Sequence, residues 1–268
     1  MLVATWNING VKARLDALLA WLAERKPDVA CLQEIKSVDE GFPRAEIEAL
    51  GYHVETHGQK GFNGVALLSR TPPLDKLTER GLPGDEADVQ SRFIEGVYAM
   101  PSRSGAHGGD RLRVACLYLP NGNPLGTDKF TYKLDWMRRL EDHARLRLAQ
   151  EVPFLLAGDF NIIPQPDDAR HPSAWVNDAL FQPESRAAWR RLVNLGLTDA
   201  VRATTDKDGV YTFWDYQAGA WQKNNGIRID HLLLSPEAAA RLASVGIDSH
   251  VRGWEKPSDH VPVIAQFH

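Results

Sequence analysis

Cysteine is scarce in this sequence. The 268 residues include two, Cys31 and Cys116, and each lies inside a short apolar run. Small secreted domains use many cysteines for disulfides, whereas free thiols in a larger chain are usually buried and behave as small apolar groups. We therefore expect two buried, reduced thiols in a cytoplasmic protein, and no thiolate ligand in any metal site.

Long apolar runs are also missing. A transmembrane helix needs about 18 or more consecutive apolar residues, and the sequence contains no such run. The first residues, Met-Leu-Val-Ala-Thr-Trp-Asn, lack the basic segment and the cleavable apolar segment of a signal peptide. They predict a first β-strand instead, and we expect no association with a membrane.

Nor is there an excess of positive charge. The chain carries 35 acidic and 31 basic residues, for a formal net charge of -4. This balance argues against a broad, nonspecific attraction to polyanions. It does not exclude a local basic face, because the field around a protein depends on how its charges are distributed as well as on their sum.

Short apolar runs alternate with amphipathic segments along the whole chain. Strands are predicted over residues 2–8, 29–34, 154–157, 211–216, 226–234 and 245–251, and helices over residues 11–26 and 128–150. Surface loops are predicted over residues 102–109 and 165–184, and a loop as long as the second is usually functional. The length would allow two domains, but sandwiches of this size often form one. We predict a single domain over residues 1–268.

The stretch from Phe154 to Pro164 gives the clearest indication of chemistry. Its apolar run ends at Gly158 and is followed by Asp159 and Asn161. Residues two apart in a strand point to the same side, about 7 Å from each other, so a carboxylate and a carboxamide share one edge. The alternative is that both residues only stabilise turns, which is common for Asp and Asn. We favour a functional site because other strand ends carry similar side chains.

Polar side chains follow several of the predicted strands. The full set is Asn7, Glu34, Tyr118, Asp159, Asn161, Asp230, Asp259 and His260. A set that is rich in oxygen and lacks cysteine suits a hard divalent cation such as Mg²⁺ or Mn²⁺. It also supplies a base for an attacking water and donors for charged phosphate oxygens, which phosphodiester hydrolysis requires.

The order of these motifs resembles the exonuclease III family of bacterial DNA repair nucleases, in the endonuclease/exonuclease/phosphatase superfamily. The segments that carry the resemblance are residues 5–10, 32–34, 58–61, 63–68, 118–120, 158–161, 228–230 and 256–260. The resemblance implies an α/β four-layer sandwich, in which two packed mixed β-sheets are flanked by helices and the site lies at one rim. It further implies Mg²⁺-dependent hydrolysis of double-stranded DNA, abasic or with damaged 3′ ends, with Mn²⁺ as a substitute; we expect a monomer.

The resemblance also implies a role for each polar residue. The implied metal ligands are Asn7, Glu34, Asp159, Asn161, Asp259 and His260. Asp159 would orient and deprotonate the water, and Asn161 would hold the developing oxyanion. His260, oriented by Asp230, would contact the scissile phosphate. Tyr118 would hydrogen-bond to the phosphate or to the leaving oxygen.

A second group of residues is implied to bind DNA. Its members are Arg92, Asn121, Lys129, Phe213, Trp214, Ile227 and Ile229. Arg92 and Lys129 match positions that grip the DNA backbone, and the asparagine and the aromatic pair match positions that enter the duplex near an abasic sugar. The two isoleucines share one strand face and would meet the ring of Phe213 around a deoxyribose without a base. The alternative is that the four apolar residues are ordinary core, which we favour for Trp214.

Two other functions remain as alternatives. A phosphatase of the same superfamily, acting on inositol phosphates or a sphingolipid headgroup, would keep the metal site but would not need the segments 58–61 and 213–214. A noncatalytic DNA-binding module would not need every polar strand end. Within the nuclease interpretation, the balance between incision at abasic sites and 3′-to-5′ degradation stays open.

Overall fold

A computed structural model describes residues 1–74, 78–101 and 110–268 of the chain. Its strands are β1 Leu2–Asn7, β2 Val29–Gln33, β3 His53–His57, β4 Val65–Ser69, β5 Thr78–Arg80, β6 Phe93–Met100, β7 Asp110–Tyr118, β8 Phe154–Asp159, β9 Thr198–Asp199, β10 Asp230–Leu234, β11 Leu242–Ile247 and β12 Val263–Phe267. Its helices are α1 Leu15–Arg25, α2 Arg44–Glu48, α3 Asp128–Leu148, α4 Pro183–Val193, α5 Ala200–Thr204 and α6 Pro236–Ala239. The loop predicted over residues 102–109 lies outside the described residues.

The strands form two six-stranded sheets, with the orders β11-β12-β1-β2-β4-β3 and β5-β6-β7-β8-β10-β9. Each sheet contains one parallel pair, β1 with β2 and β7 with β8, and its other pairs are antiparallel. Both sheets are therefore mixed, as predicted. Parallel strands end at the same edge of a sheet, so each sheet brings two strand ends with polar residues to one rim.

The main core lies between the two sheets. Val3, Cys31 and Leu67 of the first sheet pack in one cluster with Cys116, Leu155 and Leu232 of the second. A helix layer covers each outer face, since Leu18 and Trp21 of α1 pack on the first sheet, and α3 and α4 pack on the second. The predicted four-layer α/β sandwich is confirmed. Both cysteines are free and buried in the central layer, as the apolar runs around them indicated.

The strand predicted over residues 211–216 is wrong. Phe213 makes only single bridges, to Ile227 and to His260. The hydroxyl of Thr212 accepts from the backbone N–H of Ile229 and of Asp230, both at 3.1 Å, so a side chain replaces the backbone partner that a ladder would need. The segment links the two strand ends that carry Asp230 and His260 instead of extending a sheet.

The bounds of other predicted elements differ from those in the structure. The strand predicted over residues 226–234 begins at Asp230, and the strand predicted over residues 245–251 ends at Ile247 and is followed by the 3₁₀ helix Ser249–Gly253. The loop over residues 165–184 contains the short 3₁₀ helices Pro166–Asp168 and Pro172–Trp175 before α4 begins. Within the described ranges no helix is long and apolar enough to cross a membrane.

Candidate active site and metal centre

Sheet register brings the polar strand ends together at one rim. Tyr118 at the end of β7 pairs with Asp159 at the end of β8. Asp159 in turn pairs with Asp230, the first residue of β10. Gly158 permits this close approach, because a Cβ at that position would lie 1.9 Å from the carbonyl oxygen of Leu117. A residue larger than glycine would force β7 and β8 apart just below the site.

Left-handed backbone turns aim two of the side chains into the rim. Glu34, directly after β2, has a φ of 48°, and Asn161, two residues after β8, has a φ of 47°. Residues other than glycine adopt this conformation rarely, and Asn is among those that tolerate it best. Strained backbone of this kind is often found at functional sites, and here it occurs at two residues that the sequence had singled out.

Asn7 joins the two sheets across the rim. Its Nδ2 donates to Glu34 Oε1 at 2.9 Å and to Asp159 Oδ2 at 2.9 Å. Its Oδ1 accepts from the backbone N–H of Asn9 at 3.0 Å. In this arrangement the amide nitrogen of Asn7 holds the two carboxylates next to each other.

Glu34, Asp159 and His260 form a cluster that fits a divalent cation. One possible ligand atom from each residue lies within 4.8 Å of the others. Two carboxylates and a histidine, without sulfur, suit Mg²⁺ or Mn²⁺, of which Mg²⁺ favours the oxygens. Asp259 is not in this cluster, and its Oδ1 accepts from Asn9 Nδ2 at 3.1 Å.

The imidazole of His260 lies between two carboxylates. Its Nδ1 is 2.8 Å from Asp230 Oδ2, and its Nε2 is 3.7 Å from Asp159 Oδ2. Burial lowers the pKa of His260, but the charges of Asp230 and Asp159 outweigh burial and raise that pKa well above its usual value. The ring is therefore suited to remain a cation and to meet an anionic phosphate.

The two carboxylates that share Asn7 differ in their acidity. Burial, together with the charge of Asp230, raises the pKa of Asp159 to about 7. Burial also acts to raise the pKa of Glu34, but the hydrogen bond from Asn7 and the charge of Lys36 more than offset it and lower that pKa. Two neighbouring carboxylates with separated pKa values suit different tasks, an ionised ligand and a general base.

Asn161 is held by hydrogen bonds on all its polar groups. Its backbone N–H donates to Asp159 Oδ1 at 2.9 Å, and its Nδ2 donates to the carbonyl oxygen of Leu119 at 2.9 Å. Its Oδ1 accepts from Asn121 Nδ2 at 3.3 Å, and its carbonyl oxygen accepts from Lys133 Nζ at 2.6 Å. The amide is therefore fixed beside Asp159 before any ligand arrives.

A cleft of about 260 Å³ lies next to the site. Its lining includes Gln90, Arg92, Asn121, Lys129 and Tyr132. The guanidinium of Arg92 lies 4.8 Å above the ring of Tyr118, which connects the cleft to the polar rim. Burial and the nearby charge of Glu34 raise the pKa of Tyr118 well above its usual value, so its hydroxyl stays protonated and able to donate.

The aromatic pair is split between two environments. The ring of Phe213 packs edge-on against His260, with centroids 5.0 Å apart, and belongs with Ile227 and Ile229 to one apolar cluster. Trp214 is 3% exposed, packs with Tyr211, and donates from Nε1 to Asn224. Phe213 is thus at the site, while Trp214 is not brought to it. The two isoleucines are 2% exposed and lie beneath the surface of the cluster.

Several residues support the site without having been predicted. Lys36 Nζ lies 3.1 Å from Glu34 Oε2, and Ser258 Oγ donates to the carbonyl oxygen of Asn7 at 2.7 Å. Trp6 Nε1 donates to the carbonyl oxygen of His260 at 3.1 Å. Lys133 is fully buried in α3, at a position on the inward face of that helix. Trp6 and Ser258 lie inside the conspicuous motifs, and Lys36 lies two residues after one of them. Lys133 was detectable as a charge at an inward helical position.

Comparisons with known proteins show the family to which the chain belongs. The profile of the Endonuclease/Exonuclease/phosphatase family matches residues 4–260. The chain is 38% identical to the exodeoxyribonuclease III of Haemophilus influenzae, over 98% of each sequence.

Two solved structures have the same fold over the whole chain. An AP endonuclease from Archaeoglobus fulgidus superimposes with a TM-score of 0.90 at 34% identity, covering 100% of this chain and 99% of the other. The 3′ phosphatase NExo from Neisseria, solved with a product DNA hairpin, gives a TM-score of 0.90 at 36% identity, with the same coverage. This chain belongs to the endonuclease/exonuclease/phosphatase family, in the branch of exonuclease III and the AP endonucleases, whose members are metal-dependent nucleases.

Proposed function

We propose that this protein is a DNA repair nuclease that uses Mg²⁺, or Mn²⁺ in its place, to hydrolyse phosphodiesters in double-stranded DNA at abasic sites, at damaged 3′ ends or at both. The observation that carries this proposal is the position of Asp159. It is buried at the junction of the two sheets, between the amide of Asn7 and the imidazole of His260. A carboxylate with a raised pKa in that place is suited to take a proton from a water molecule.

The metal would be held chiefly by Glu34 and Asp159, with Asp259 nearby. His260 lies within the same cluster, but as a cation it has no free lone pair, so it would face the phosphate and not the metal. A bound Mg²⁺ would neutralise charge on the phosphate oxygens and help to orient the substrate. Asn7 and Lys36 would keep the Glu34 carboxylate ionised and turned towards the centre. Asn161, which the resemblance also implied as a ligand, has its Oδ1 occupied by Asn121 and donates one Nδ2 N–H to the carbonyl oxygen of Leu119. We assign its second Nδ2 N–H to the phosphate.

The chemical step follows from the remaining groups. Asp159 accepts a proton from the water whose oxygen attacks phosphorus, and one P–O bond breaks as the new one forms. The cationic His260, held by Asp230 at 2.8 Å, and the amide of Asn161 offset the charge that develops on the phosphate oxygens. The protonated hydroxyl of Tyr118 is placed to donate to the phosphate or to the leaving oxygen.

The cleft beside the site would hold the DNA backbone. Arg92 and Lys129 contribute positive charge, and Asn121 lies between them and Asn161. Phe213 would meet the sugar on the other side of His260, over a floor formed by Ile227 and Ile229. Because Trp214 is buried in another cluster, its contribution to DNA binding would be indirect, through the backbone it shares with Phe213.

We also infer a cytoplasmic monomer that acts as one domain over residues 1–268. Two buried free thiols fit a reducing compartment. A small phosphoester as the natural substrate is disfavoured because it would need neither both basic residues of the cleft, Arg92 and Lys129, nor the ring of Phe213 beside His260. A noncatalytic role is disfavoured because a bare DNA contact does not require a buried, perturbed group like Asp159.

A cleavage assay on defined duplexes tests this proposal. One fluorescent duplex carries a single tetrahydrofuran abasic analogue, and a second has a recessed 3′ end damaged by a phosphoglycolate, which a phosphodiester joins to the strand. Both are incubated with Mg²⁺ and with EDTA. We expect Mg²⁺-dependent cleavage of at least one duplex, and the ratio of the two rates gives the preferred substrate. Full cleavage in EDTA, or no cleavage of either duplex with metal, would contradict the proposal.

A further inference from the structure

Lys133 is a lysine that the fold hides completely. It lies in the first half of α3 and is 0% exposed. Its Nζ donates to the carbonyl oxygens of Asn121 at 3.0 Å and of Asn161 at 2.6 Å. Burying a lysine is unfavourable unless its donors are satisfied, so these two hydrogen bonds are what makes this position tolerable.

The two carbonyl groups belong to the segments that hold the side chain of Asn161. The segment after β7 contains Leu119, whose carbonyl oxygen accepts from Asn161 Nδ2, and Asn121, whose Nδ2 donates to Asn161 Oδ1. The segment after β8 contains Asn161 itself. One amine therefore ties both segments together around a single carboxamide.

The contact is tight as well as polar. Gly122 has a φ of 91°, and a Cβ there would lie 2.7 Å from Lys133 Cδ. The chain after Asn121 thus runs directly over the aliphatic stem of the lysine. The carbonyl group of Asn161 points at the same lysine because the backbone of Asn161 is left-handed, with a φ of 47°. Packing and hydrogen bonding fix the same two segments.

We propose that Lys133 is a positioning residue for the hydrolytic reaction, which sets the orientation of the Asn161 carboxamide from beneath the site. The inference rests on the proposed function, in which Asn161 stabilises charge on the phosphate. A donor of this kind is effective because it is already oriented when the charge develops. An amine keeps two N–H groups when it loses a proton, so both hydrogen bonds persist in either protonation state.

A double-mutant cycle separates this role from a general effect of the buried amine. Lys133→Met keeps an unbranched apolar stem as far as Cε and removes the amine with its donors, and Asn161→Ala removes the amide. We expect Lys133→Met alone to lower kcat about tenfold or more, with KM changed by less than about twofold. In the Asn161→Ala background the same substitution should lower kcat by less than about twofold, because the group that it positions is gone.

Arg139 provides a matched control in the same helix. It is also buried and donates to the backbone carbonyl oxygens of Leu82 and Pro83, and it pairs with Asp88 at 2.7 Å. Asp88 accepts from Tyr132 of the cleft, so Arg139→Met could change KM, but no contact of Arg139 reaches Asn161. Arg139→Met should lower the melting temperature without a comparable loss of kcat. Whatever effect it has on kcat should be the same with and without Asn161→Ala. A general loosening of α3 would instead make the two variants behave alike.

An NMR measurement tests the positioning of the Asn161 amide without relying on nuclease activity. The side-chain amide resonances of Asn161 are assigned in a ¹⁵N-labelled protein by their loss in Asn161→Ala. We expect them to shift or broaden in Lys133→Met and to stay in place in Arg139→Met. Unchanged resonances, or an equal loss of kcat in both backgrounds, would overturn the role of Lys133. A wild-type protein without nuclease activity would overturn the proposed function, and the spectrum would still decide the positioning.

Discussion

The rings of Phe213 and Trp214 are neighbours in sequence but face different surroundings. Phe213 lies against His260 at the rim, half-buried, while Trp214 packs with Tyr211 in a separate cluster. The alternation comes from the extended backbone, in which successive side chains point to opposite sides. Phe213 can therefore contact a substrate at the rim, whereas Trp214 cannot.

Phe213→Ala should impair DNA cleavage much more than the hydrolysis of a small phosphodiester. The reason is that, in the proposed function, the ring would meet the sugar of the DNA and would take no part in the chemistry. Incision of the abasic duplex and hydrolysis of bis-p-nitrophenyl phosphate are measured in parallel. Trp214→Ala is the control, because deleting a core aromatic costs about 3–5 kcal/mol of stability. If Phe213→Ala lost both activities and its melting temperature together, Phe213 would be core.

The polar strand ends were predictable because each follows a short apolar run in the sequence. Asp159 after residues 154–157 is the clearest case, and the register with β7 and β10 places it where the pattern indicated. The partners of these residues were harder to predict. The hydroxyl of Thr212 and the amine of Lys133 act on backbone groups that lie 18 and 28 residues away in the chain. A sequence pattern covers only a few neighbouring residues and therefore cannot reveal contacts over such separations.

At the scale of an element, the loop over residues 165–184 is anchored by a buried ion network. Asp168 accepts from Arg228 Nε at 2.7 Å and from Arg202 Nη2 at 2.6 Å. Arg228 also contacts Asp199 and donates towards His231 Nδ1 at 3.1 Å. The network joins the loop to the segment just before β10, which contains Ile227 and Ile229.

This network should make the stability of the protein depend on pH through His231. Burial, followed by the charge of Arg228, lowers the pKa of His231 to about 4 despite the opposing charges of Asp199 and Asp168. The unfolded chain then binds more protons than the folded one between the two pKa values. Stability from this group is complete above its ordinary pKa and is lost as the pH falls towards about 4.

Urea unfolding of the wild type and of His231→Gln measures this effect. Glutamine retains a donor for the carbonyl oxygen of Ile162 but does not titrate. Between about pH 7.5 and about pH 5 we expect the wild type to lose roughly 2 kcal/mol more than the variant. Parallel pH profiles for the two proteins would show that His231 is not held neutral.

The cleft beside the site belongs to two elements, since Arg92 precedes β6 and Lys129 lies in the first turn of α3. Arg92→Ala and Lys129→Ala should each weaken DNA binding regardless of sequence. Each should also reduce the slope of log Kd against log salt by about one. Arg138→Ala is the control, because Arg138 is an exposed residue of α3 that pairs with Asp135 and does not line this cleft. An unchanged slope in both test variants would place the DNA elsewhere.

At the scale of the whole molecule, the site exists only where the two sheets meet. Asn7 and Glu34 come from the first sheet, and Asp159 and Asp230 come from the second. The hydrogen bond from Asn7 to Asp159 spans 152 positions in the sequence. Each sheet alone would present an incomplete set, so the packing of the two sheets brings together the groups that we propose to be catalytic.

The most direct test of this account is a comparison of Asp159→Asn with the wild type on the abasic duplex, with DNA binding and single-turnover cleavage measured on the same preparations. The substitution keeps the shape of the side chain and removes both its ability to take a proton and its negative charge towards the metal. Cleavage is therefore compared at Mg²⁺ concentrations that saturate each protein, so that weaker metal binding does not count as loss of the base. We expect near-normal binding, with a cleavage rate that falls by about 10²-fold or more. The wild type should cleave only with Mg²⁺ or Mn²⁺ present. A variant that cleaves at the wild-type rate would contradict the assignment of Asp159 as the base, and with it the central claim.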